Sequence, residues 1–254
     1  MTVSELYDKL SAEIPPALSM KWDNDGLQIC PEPSRPACRV LCALDLTPSA
    51  VDFALENNCD AILTHHPLLF SPLRSVRPDF GKGGTVMRLL SAGVAAMSFH
   101  TRYDALDGGM NDLLAAALGL SGTVRFGPEG EEIGRIGSLS EPLALREYAA
   151  VVKYALSSPF VLLAPGGRDP VARVAVCGGD AKDFIVPAAR AGADLLVCGR
   201  ASYNTAMEAQ EYGISVLEAG HFNTEMLCVP DFAARVERLG CEPLLYISAE
   251  LEAL

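Results

Sequence analysis

The chain has 254 residues, of which 50% are hydrophobic and 20% are charged, a balance that excludes a disordered or collagen-like protein. Acidic residues outnumber basic residues by 32 to 20, so the net charge is −12 and binding to a nucleic-acid backbone is disfavoured. If the protein acts on an anionic substrate, another group must supply the positive charge.

The eight cysteines are spread along the chain without a Cys-x-x-Cys pair, and most of them lie inside apolar runs. We therefore interpret them as reduced core cysteines and not as a disulfide framework. The first residues include neither a basic segment nor an apolar one, and no run approaches the ~18 apolar residues of a membrane span. These features predict a cytoplasmic protein without a membrane partner.

Strands and helices are predicted to alternate in the first half of the chain. A capping-box spacing, Thr2-x-x-Glu5, starts a helix that ends near Pro15. The glycine-rich stretch 81–84 is interpreted as a mobile loop. Such alternation is typical of a parallel α/β sheet. The predicted strands are 40–44, 61–64 and 94–99, and the predicted helices are 48–57, 87–92 and 112–118.

The second half repeats this alternation. Arg39 and Asp60 match Arg173 and Asp194 at the same offset of 134 residues. The matching order of strands and helices predicts two similar α/β halves, 1–126 and 127–254. The predicted strands of the second half are 174–176, 195–197 and 214–217, and its predicted helices are 142–156, 184–191, 205–212 and 231–239.

All four histidines of the chain follow predicted strands. Ligands of parallel α/β sheets bind beyond the carboxyl ends of the strands, so this placement indicates one common site. A single histidine is more often a core or surface residue, but four in equivalent positions favour a shared function. They are His65 and His66 after strand 61–64, His100 after strand 94–99, and His221 after strand 214–217.

Two carboxylates accompany these histidines at helical spacing. Asp104 lies four residues after His100, and Glu225 lies four residues after His221, so each pair shares one face of a helix or turn. Imidazoles and carboxylates without thiolates suit a divalent ion such as Zn, Mn, Fe, Co or Ni. Five or six such ligands exceed the needs of one tetrahedral ion, which favours two ions that share a bridging carboxylate.

The segments around these residues form an ordered set of motifs. They are Trp22-Asp-Asn-Asp-Gly-Leu-Gln-Ile29, Leu44-Asp-Leu-Thr-Pro48, Asp60-Ala-Ile-Leu-Thr-His-His-Pro-Leu68, His100-Thr-Arg-Tyr-Asp104 with Gly108-Gly-Met-Asn-Asp112, Cys177-Gly-Gly179, and Gly220-His-Phe-Asn-Thr-Glu225. Together they resemble the Nif-three-like family of dinuclear-metal proteins, whose members are often labelled GTP cyclohydrolase I type 2 homologues. The resemblance spans nearly the whole chain.

The resemblance implies an α/β fold of two interleaved, similar halves with mainly parallel sheets, in a short form that lacks the inserted domain of longer members. It also implies a homo-hexameric ring whose metal sites face an internal cavity. Carried over by motif, the ligands of the family would place one ion on His65 and one on His66. Asp104 would join His66, His221 would join His65, and Glu225 would bridge the two ions.

The segment after the strand 195–197 departs from the family pattern. Where members of the family commonly carry Gly-Glu or Gly-Asp followed by histidines, this chain reads Cys198-Gly-Arg-Ala-Ser-Tyr-Asn204. Arg200 could bind a phosphate or carboxylate of the substrate through its guanidinium, and a salt bridge at the rim is the alternative. In the internal repeat, Gly199 stands opposite His65.

These observations predict a metal-dependent hydrolase that acts on a small phosphorylated or nucleotide-like molecule, similar to a GTP cyclohydrolase I type 2. Two divalent ions can activate a water and neutralise the charge of a substrate oxygen. His100 and Asp45 are the candidate proton carriers, although Asp45 could equally cap the helix that follows Pro48. The alternative is a non-catalytic metal-binding or metal-trafficking protein whose ions organise a ring-forming scaffold.

Overall fold

The computed structural model describes residues 1–79 and 81–248, and in them the chain folds into two α/β units, each with its own sheet. The first unit comprises the described residues of Met1–Tyr103 together with Cys228–Ser248, and the second comprises Asp104–Leu227. The chain therefore passes from the first unit to the second and returns to the first.

The elements alternate between strand and helix along most of the chain, and two short 3-10 helices, Pro16–Leu18 and Lys182–Phe184, interrupt them. No helix in the described part of the chain combines the length and the apolar composition needed to cross a membrane. In chain order the elements are α1 (Val3–Glu13), β1 (Gly26–Ile29), β2 (Arg39–Ala43), α2 (Pro48–Glu56), β3 (Ala61–Thr64), α3 (Gly81–Ala92), β4 (Ala95–Ser98), α4 (Thr101–Ala105), α5 (Met110–Ala117), β5 (Ser121–Phe126), β6 (Gly134–Leu143), α6 (Leu145–Ala155), β7 (Leu162–Ala164), β8 (Val171–Asp180), α7 (Ile185–Arg190), β9 (Leu195–Arg200), α8 (Tyr203–Glu211), β10 (Ser215–Glu218), α9 (His221–Glu225), α10 (Cys228–Arg238) and β11 (Glu242–Tyr246).

The first unit is built on a five-stranded sheet of order β1-β4-β3-β2-β11. Every neighbouring pair is parallel except β1 and β4. The central strands are covered on both faces, which explains why they appear in the sequence as continuous apolar runs. Leu41, Ile62 and Ala96 from these strands pack against α2 and α3, while α10 covers β2 and β11.

The second unit is built on a six-stranded sheet of order β5-β6-β8-β9-β10-β7. Its centre, β8-β9-β10, is parallel, whereas β5, β6 and β7 join it in antiparallel pairs. The prediction of mainly parallel sheets is therefore confirmed for the first unit and holds only for the centre of the second. For β5 and β6 the physical reason is their short connection, which can join antiparallel strands but not parallel ones.

Alternate residues of β8 face opposite sides of the second sheet. Val174 and Val176 pack into a cluster with residues of α5 and α6. Ala175 and Cys177 pack into a second cluster with residues of α7 and α8. This two-residue period is expected for a strand that is buried on both faces.

The structural division of the chain lies elsewhere than the boundary at residue 126 that we expect from the sequence. The strand β5 belongs to the second unit because it pairs with β6, and α5 belongs there because it packs against β6 and β8. The end of the expected second half also differs, since α10 and β11 form part of the first unit. Residues 249–254 of that half lie outside the described residues.

The internal repeat is visible in the hydrogen bonds of the two units. Asp60 Oδ2 accepts hydrogen bonds from the backbone N–H groups of Arg39 and of the residue before it, at 3.0 and 2.9 Å. Asp194 Oδ2 accepts the equivalent bonds from Arg173 and the residue before it, at 2.9 and 3.0 Å. The matched aspartates of the sequence thus perform the same structural role, which supports the duplication of the α/β unit.

The first residues of α1 and of α3, two helices of the first unit, show how local sequence sets structure. The capping box of α1 is confirmed, because Thr2 Oγ1 accepts from the N–H of Glu5 and the Glu5 carboxylate accepts from the N–H of Thr2. The loop interpretation of residues 81–84 is wrong, because α3 begins at Gly81. A Cβ on Gly83 would lie 2.7 Å from the backbone oxygen of Ser75, so glycine is needed there for close packing.

Candidate metal centre

Polar side chains follow three neighbouring strands of the first sheet, at the edge where these strands end. Asp45 follows β2, His65 and His66 follow β3, and His100 follows β4. These strands are parallel neighbours, so their carboxyl ends meet at one edge and the side chains after them converge. The prediction that histidines follow the strands is confirmed, and it extends to His221 after β10 in the second unit.

The three imidazoles of the first unit lie together. One ring nitrogen from each of His65, His66 and His100 lies within 4.8 Å of the others. The ring centres are 5.0 Å apart for His65 and His66, 5.2 Å for His65 and His100, and 5.6 Å for His66 and His100. His65 is fully buried, whereas the other two are partly exposed. Several imidazoles at this separation can hold a divalent transition ion.

Each of these imidazoles uses its Nδ1 atom for a hydrogen bond to an oxygen. A carbonyl or carboxylate acceptor favours the tautomer with a proton on Nδ1, so Nε2 is left with the lone pair that can bind a cation. Metal-binding histidines are commonly fixed in this way, and the three side chains therefore fit a divalent ion. The acceptors are Phe99 O for His65 at 3.0 Å, Asp45 Oδ1 for His66 at 2.7 Å, and Asp23 Oδ1 for His100 at 2.9 Å.

Asp45 contacts a histidine and does not cap a helix. The N-cap of α2 is Thr47, whose hydroxyl accepts a hydrogen bond from the N–H of Ala50 at 3.1 Å. The capping alternative for Asp45 is therefore wrong. Its carboxylate instead accepts from His66 Nδ1, which places it where it can orient that imidazole.

Asp23 fixes the position of His100. In addition to His100 Nδ1, its carboxylate accepts from the N–H of Thr101 at 3.0 Å and from the hydroxyl of Thr101 at 2.5 Å. Burial disfavours the charged form of Asp23, but the hydrogen bonds from His100 and Thr101 outweigh it and lower the pKa of Asp23 to about 2. The carboxylate is therefore ionised throughout the neutral range.

Asp25 makes a second connection between the segment before β1 and the residues that follow β4. Asp25 Oδ2 accepts from Arg102 Nε at 3.0 Å and from the N–H of His100 at 3.2 Å. The Arg102 side chain is fully buried, and its guanidinium lies 4.1 Å from the centre of the Phe99 ring. Breaking a buried ion pair costs about 3–5 kcal/mol, so this contact holds the loop firmly.

The sequence alone indicates no role for Asp23 or Asp25. The available signal was the pair of acids in Trp22-Asp-Asn-Asp25, directly before the apolar strand β1. Their partners lie about 77 residues further along the chain, so only the folded structure identifies them.

In the second unit, α9 carries two of the predicted ligands. It begins directly after Gly220, whose φ of 93° belongs to the left-handed region that favours glycine. His221 Nε2 lies 2.9 Å from Glu225 Oε2 across one turn of this helix. The Glu225 side chain is 6% exposed, whereas that of His221 is 46% exposed. The predicted spacing of four residues thus places both side chains on one face.

Three glycines allow α9 to lie against the carboxyl ends of β8 and β9. A Cβ on Gly179 would collide with Glu225 Oε1, and a Cβ on Gly178 would lie 3.2 Å from Glu225 Cγ. A Cβ on Gly199 would lie 2.7 Å from Thr224 Oγ1. The position that matches His65 in the repeat is therefore used for close packing in the second unit. This packing function is not evident from the sequence, because Gly178, Gly179 and Gly199 are distant from α9 along the chain.

Asp104 and Glu225 both lie near Cys177 in the second unit. Burial raises the pKa of the Cys177 thiol well above its ordinary value, and the charges of Asp104, Cys198 and Glu225 add to this effect. Burial likewise raises the pKa of Cys198. All eight cysteines of the chain are free, and all except Cys30 and Cys38 are buried. The prediction of core cysteines without disulfides is therefore confirmed for six of them and wrong for Cys30 and Cys38, which are not core residues. Both thiols near α9 favour the protonated form.

Arg200 lies at the end of β9 and is exposed. Within residues 1–79 and 81–248, its guanidinium makes no ion pair. The binding of an anion by Arg200 stays a prediction.

Comparisons with known proteins identify similar sequences and folds. The family model described as Duf34/NIF3 (NGG1p interacting factor 3) matches residues 1–245. A Clostridium perfringens protein named GTP cyclohydrolase 1 type 2 homolog is 28% identical and covers 98% of this chain and 97% of its own length. A Streptococcus pneumoniae protein of the same name is 30% identical, with coverages of 92% and 89%. The crystal structure of a Bacillus cereus protein related to NIF3 has a TM-score of 0.88 at 22% identity, with coverages of 100% and 99%.

Proposed function

Because the chain belongs to the Duf34/NIF3 family, we propose that it is a dinuclear-metal hydrolase that acts on a small phosphorylated or nucleotide-like substrate. The relatives named GTP cyclohydrolase 1 type 2 homolog make a GTP cyclohydrolase type of reaction the first to test. The observation that carries the proposal is the group of three imidazoles whose Nδ1 atoms all contact oxygen acceptors.

The proposed ligands come from both units. His65 and His66 would bind one ion each, Asp104 and His221 would complete the two sites, and Glu225 would be the carboxylate shared by both. The Glu225 side chain is 6% exposed and lies 2.9 Å from His221 Nε2, so a carboxylate and an imidazole already lie together at this position, which supports their shared role as ligands.

When bound, two such ions would supply an activated water and a Lewis acid for a substrate oxygen. The remaining tasks fall to the chain itself. Asp45 orients His66 through Nδ1, and Asp23 does the same for His100. His100 then carries a proton at Nε2, and Arg200 binds an anionic group of the substrate. The cations also compensate for the net charge of −12 when the substrate is an anion.

Replacing His100 by alanine should lower turnover by roughly 10²–10⁴-fold while both ions are retained, because a proton carrier is lost but no ligand is. The measurement combines metal analysis of freshly purified protein with a screen of phosphoesters and GTP. Turnover should disappear on chelation and return when the metal is restored. Loss of the ions from His100→Ala would instead make His100 a ligand.

One observation favours the second candidate, a non-catalytic metal-binding or metal-trafficking protein. One ring nitrogen of His100 lies within 4.8 Å of those of His65 and His66, and a His100 that binds an ion through Nε2 could not carry a proton there. Bound metal without activity on any compound of the screen would support this candidate and contradict the hydrolase. Assembly into a homo-hexameric ring stays a prediction for both candidates.

A further inference from the structure

Two large aromatic side chains are exposed beside His100. Trp22 is 54% exposed and Phe70 is 44% exposed. Their ring centres lie 6.2 Å apart, and each lies close to the His100 ring, at 6.4 Å for Trp22 and 6.1 Å for Phe70. The planes of the three rings are steeply inclined to one another, by 72° to 89°. The two side chains thus form an exposed aromatic corner at the edge of the imidazole group.

The backbone on both sides of this aromatic corner is fixed by hydrogen bonds. Asp23, directly after Trp22, is tied to His100 and Thr101. Leu69, directly before Phe70, donates its N–H to Gln28 Oε1 at 2.9 Å, and its carbonyl oxygen accepts from the side chain of Asn24. Hydrogen bonds of Asp23, Asn24 and Gln28 therefore fix the backbone next to both rings, and little conformational entropy would be lost when a ligand binds them.

We propose that Trp22 and Phe70 bind the planar heteroaromatic ring of the substrate. The inference rests on the proposed function for the ions expected beside His100, and it adds the two residues that select the substrate. A flat ring that stacks on one of two inclined aromatic rings presents its edge to the other, and both contacts are favourable. Stacking of a base on an aromatic side chain is also tolerant of the identity of the base.

The neighbouring charges favour a flat ring over an organic cation. Aromatic side chains can also bind quaternary ammonium groups. However, the nearby carboxylate of Asp23 already accepts hydrogen bonds from His100 and Thr101, so fewer of its lone pairs are available to a bound cation. The adjacent imidazoles would hold divalent ions, which repel a further cation. The His100 ring lies close to Trp22 and Phe70 on one side of the group and to His65 and His66 within it. A ring bound by Trp22 and Phe70 would therefore lie next to the proposed reaction centre.

Trp22 is the single tryptophan of the chain, so its fluorescence reports on this position alone. In metal-loaded protein, GMP should quench the fluorescence saturably, whereas ribose 5-phosphate at the same concentration should not. Replacing Phe70 by alanine should weaken GMP binding by about 5- to 100-fold, and Phe70→Tyr should retain it. Tyr154→Ala, which removes an exposed aromatic ring from the second unit, is the matched control and should leave GMP binding unchanged.

Several results would overturn the inference. They are equal effects of GMP and ribose 5-phosphate, quenching by tetramethylammonium in place of GMP, or a change of oligomeric state in Phe70→Ala without a change in GMP binding. Metal analysis and the phosphoester screen on the same samples separate this inference from the proposed function. If the protein binds two ions and hydrolyses a substrate but its binding of GMP does not depend on Phe70, this inference is contradicted and the hydrolase is not. If GMP binding depends on Phe70 but the protein has neither ions nor turnover, the hydrolase is contradicted and the aromatic binding site is not.

Discussion

Replacing Glu225 by glutamine is expected to lower the metal content from two ions per chain to one or none. The side chain is almost completely buried and lies 2.9 Å from His221 Nε2 on the same face of α9. An amide has a single acceptor oxygen and no charge, so it cannot bridge two cations as a carboxylate does. The volume of the side chain hardly changes, so the fold should be retained. Metal analysis of the purified variant, with circular dichroism as a check of the fold, measures the effect.

Glu211→Gln is the matched control for this substitution. Glu211 ends α8 in the same unit and is exposed, so its loss of charge should leave the metal content unchanged. Retention of both ions by Glu225→Gln would show that Glu225 does not act as a bridge. Equal losses in both variants would show that net charge, and not coordination, determines metal binding.

Replacing Gly179 by alanine is expected to reduce both stability and metal content. Gly179 has a φ of +67°, and its added Cβ would collide with Glu225 Oε1 and lie 3.3 Å from His221 Nε2. The backbone strain and the overpacking together should lower the free energy of unfolding by about 2–4 kcal/mol. The displaced side chains on α9 should then bind metal more weakly. Denaturant unfolding in the presence of a chelator measures the stability without a contribution from bound metal.

Gly192→Ala separates the two causes. Gly192 has a φ of +81° in the same unit, but its added Cβ would meet no atom within 4 Å. This variant should show only the backbone strain, about 1–2 kcal/mol, and should bind metal normally. If Gly179→Ala is no worse than Gly192→Ala in stability and in metal content, the contact between Gly179 and α9 has no role in the site.

Much of the fold could be predicted because the central strands are apolar on both faces. Strand β3 begins and ends at the predicted residues, 61 and 64, and β2 and β4 each differ from the prediction by one residue at both ends. The unpredicted strands, β1, β5, β6, β7 and β11, contain exposed or partly exposed residues and gain stability from sheet neighbours. Two unpredicted helices, α4 and α9, are five residues long, too short for a helical period to appear.

The candidate site could be predicted in part for a related reason. Position relative to a strand end is a local property, and it was sufficient to group His65, His66 and His100. The partners that orient these rings depend on the tertiary structure. Asp23 and His100 are 77 residues apart, and the sequence does not specify that they meet. The packing role of Gly179 likewise depends on α9, which is distant in sequence.

Anomalous X-ray diffraction from crystals of the metal-loaded protein, collected at the absorption edge of the bound metal, tests the dinuclear centre most directly. We predict two peaks per chain, roughly 3.5–4 Å apart, one bonded to His65 and the other to His66, with the Glu225 carboxylate bonded to both. A single peak, or two peaks bonded to imidazoles without Glu225, would contradict a dinuclear centre bridged by Glu225.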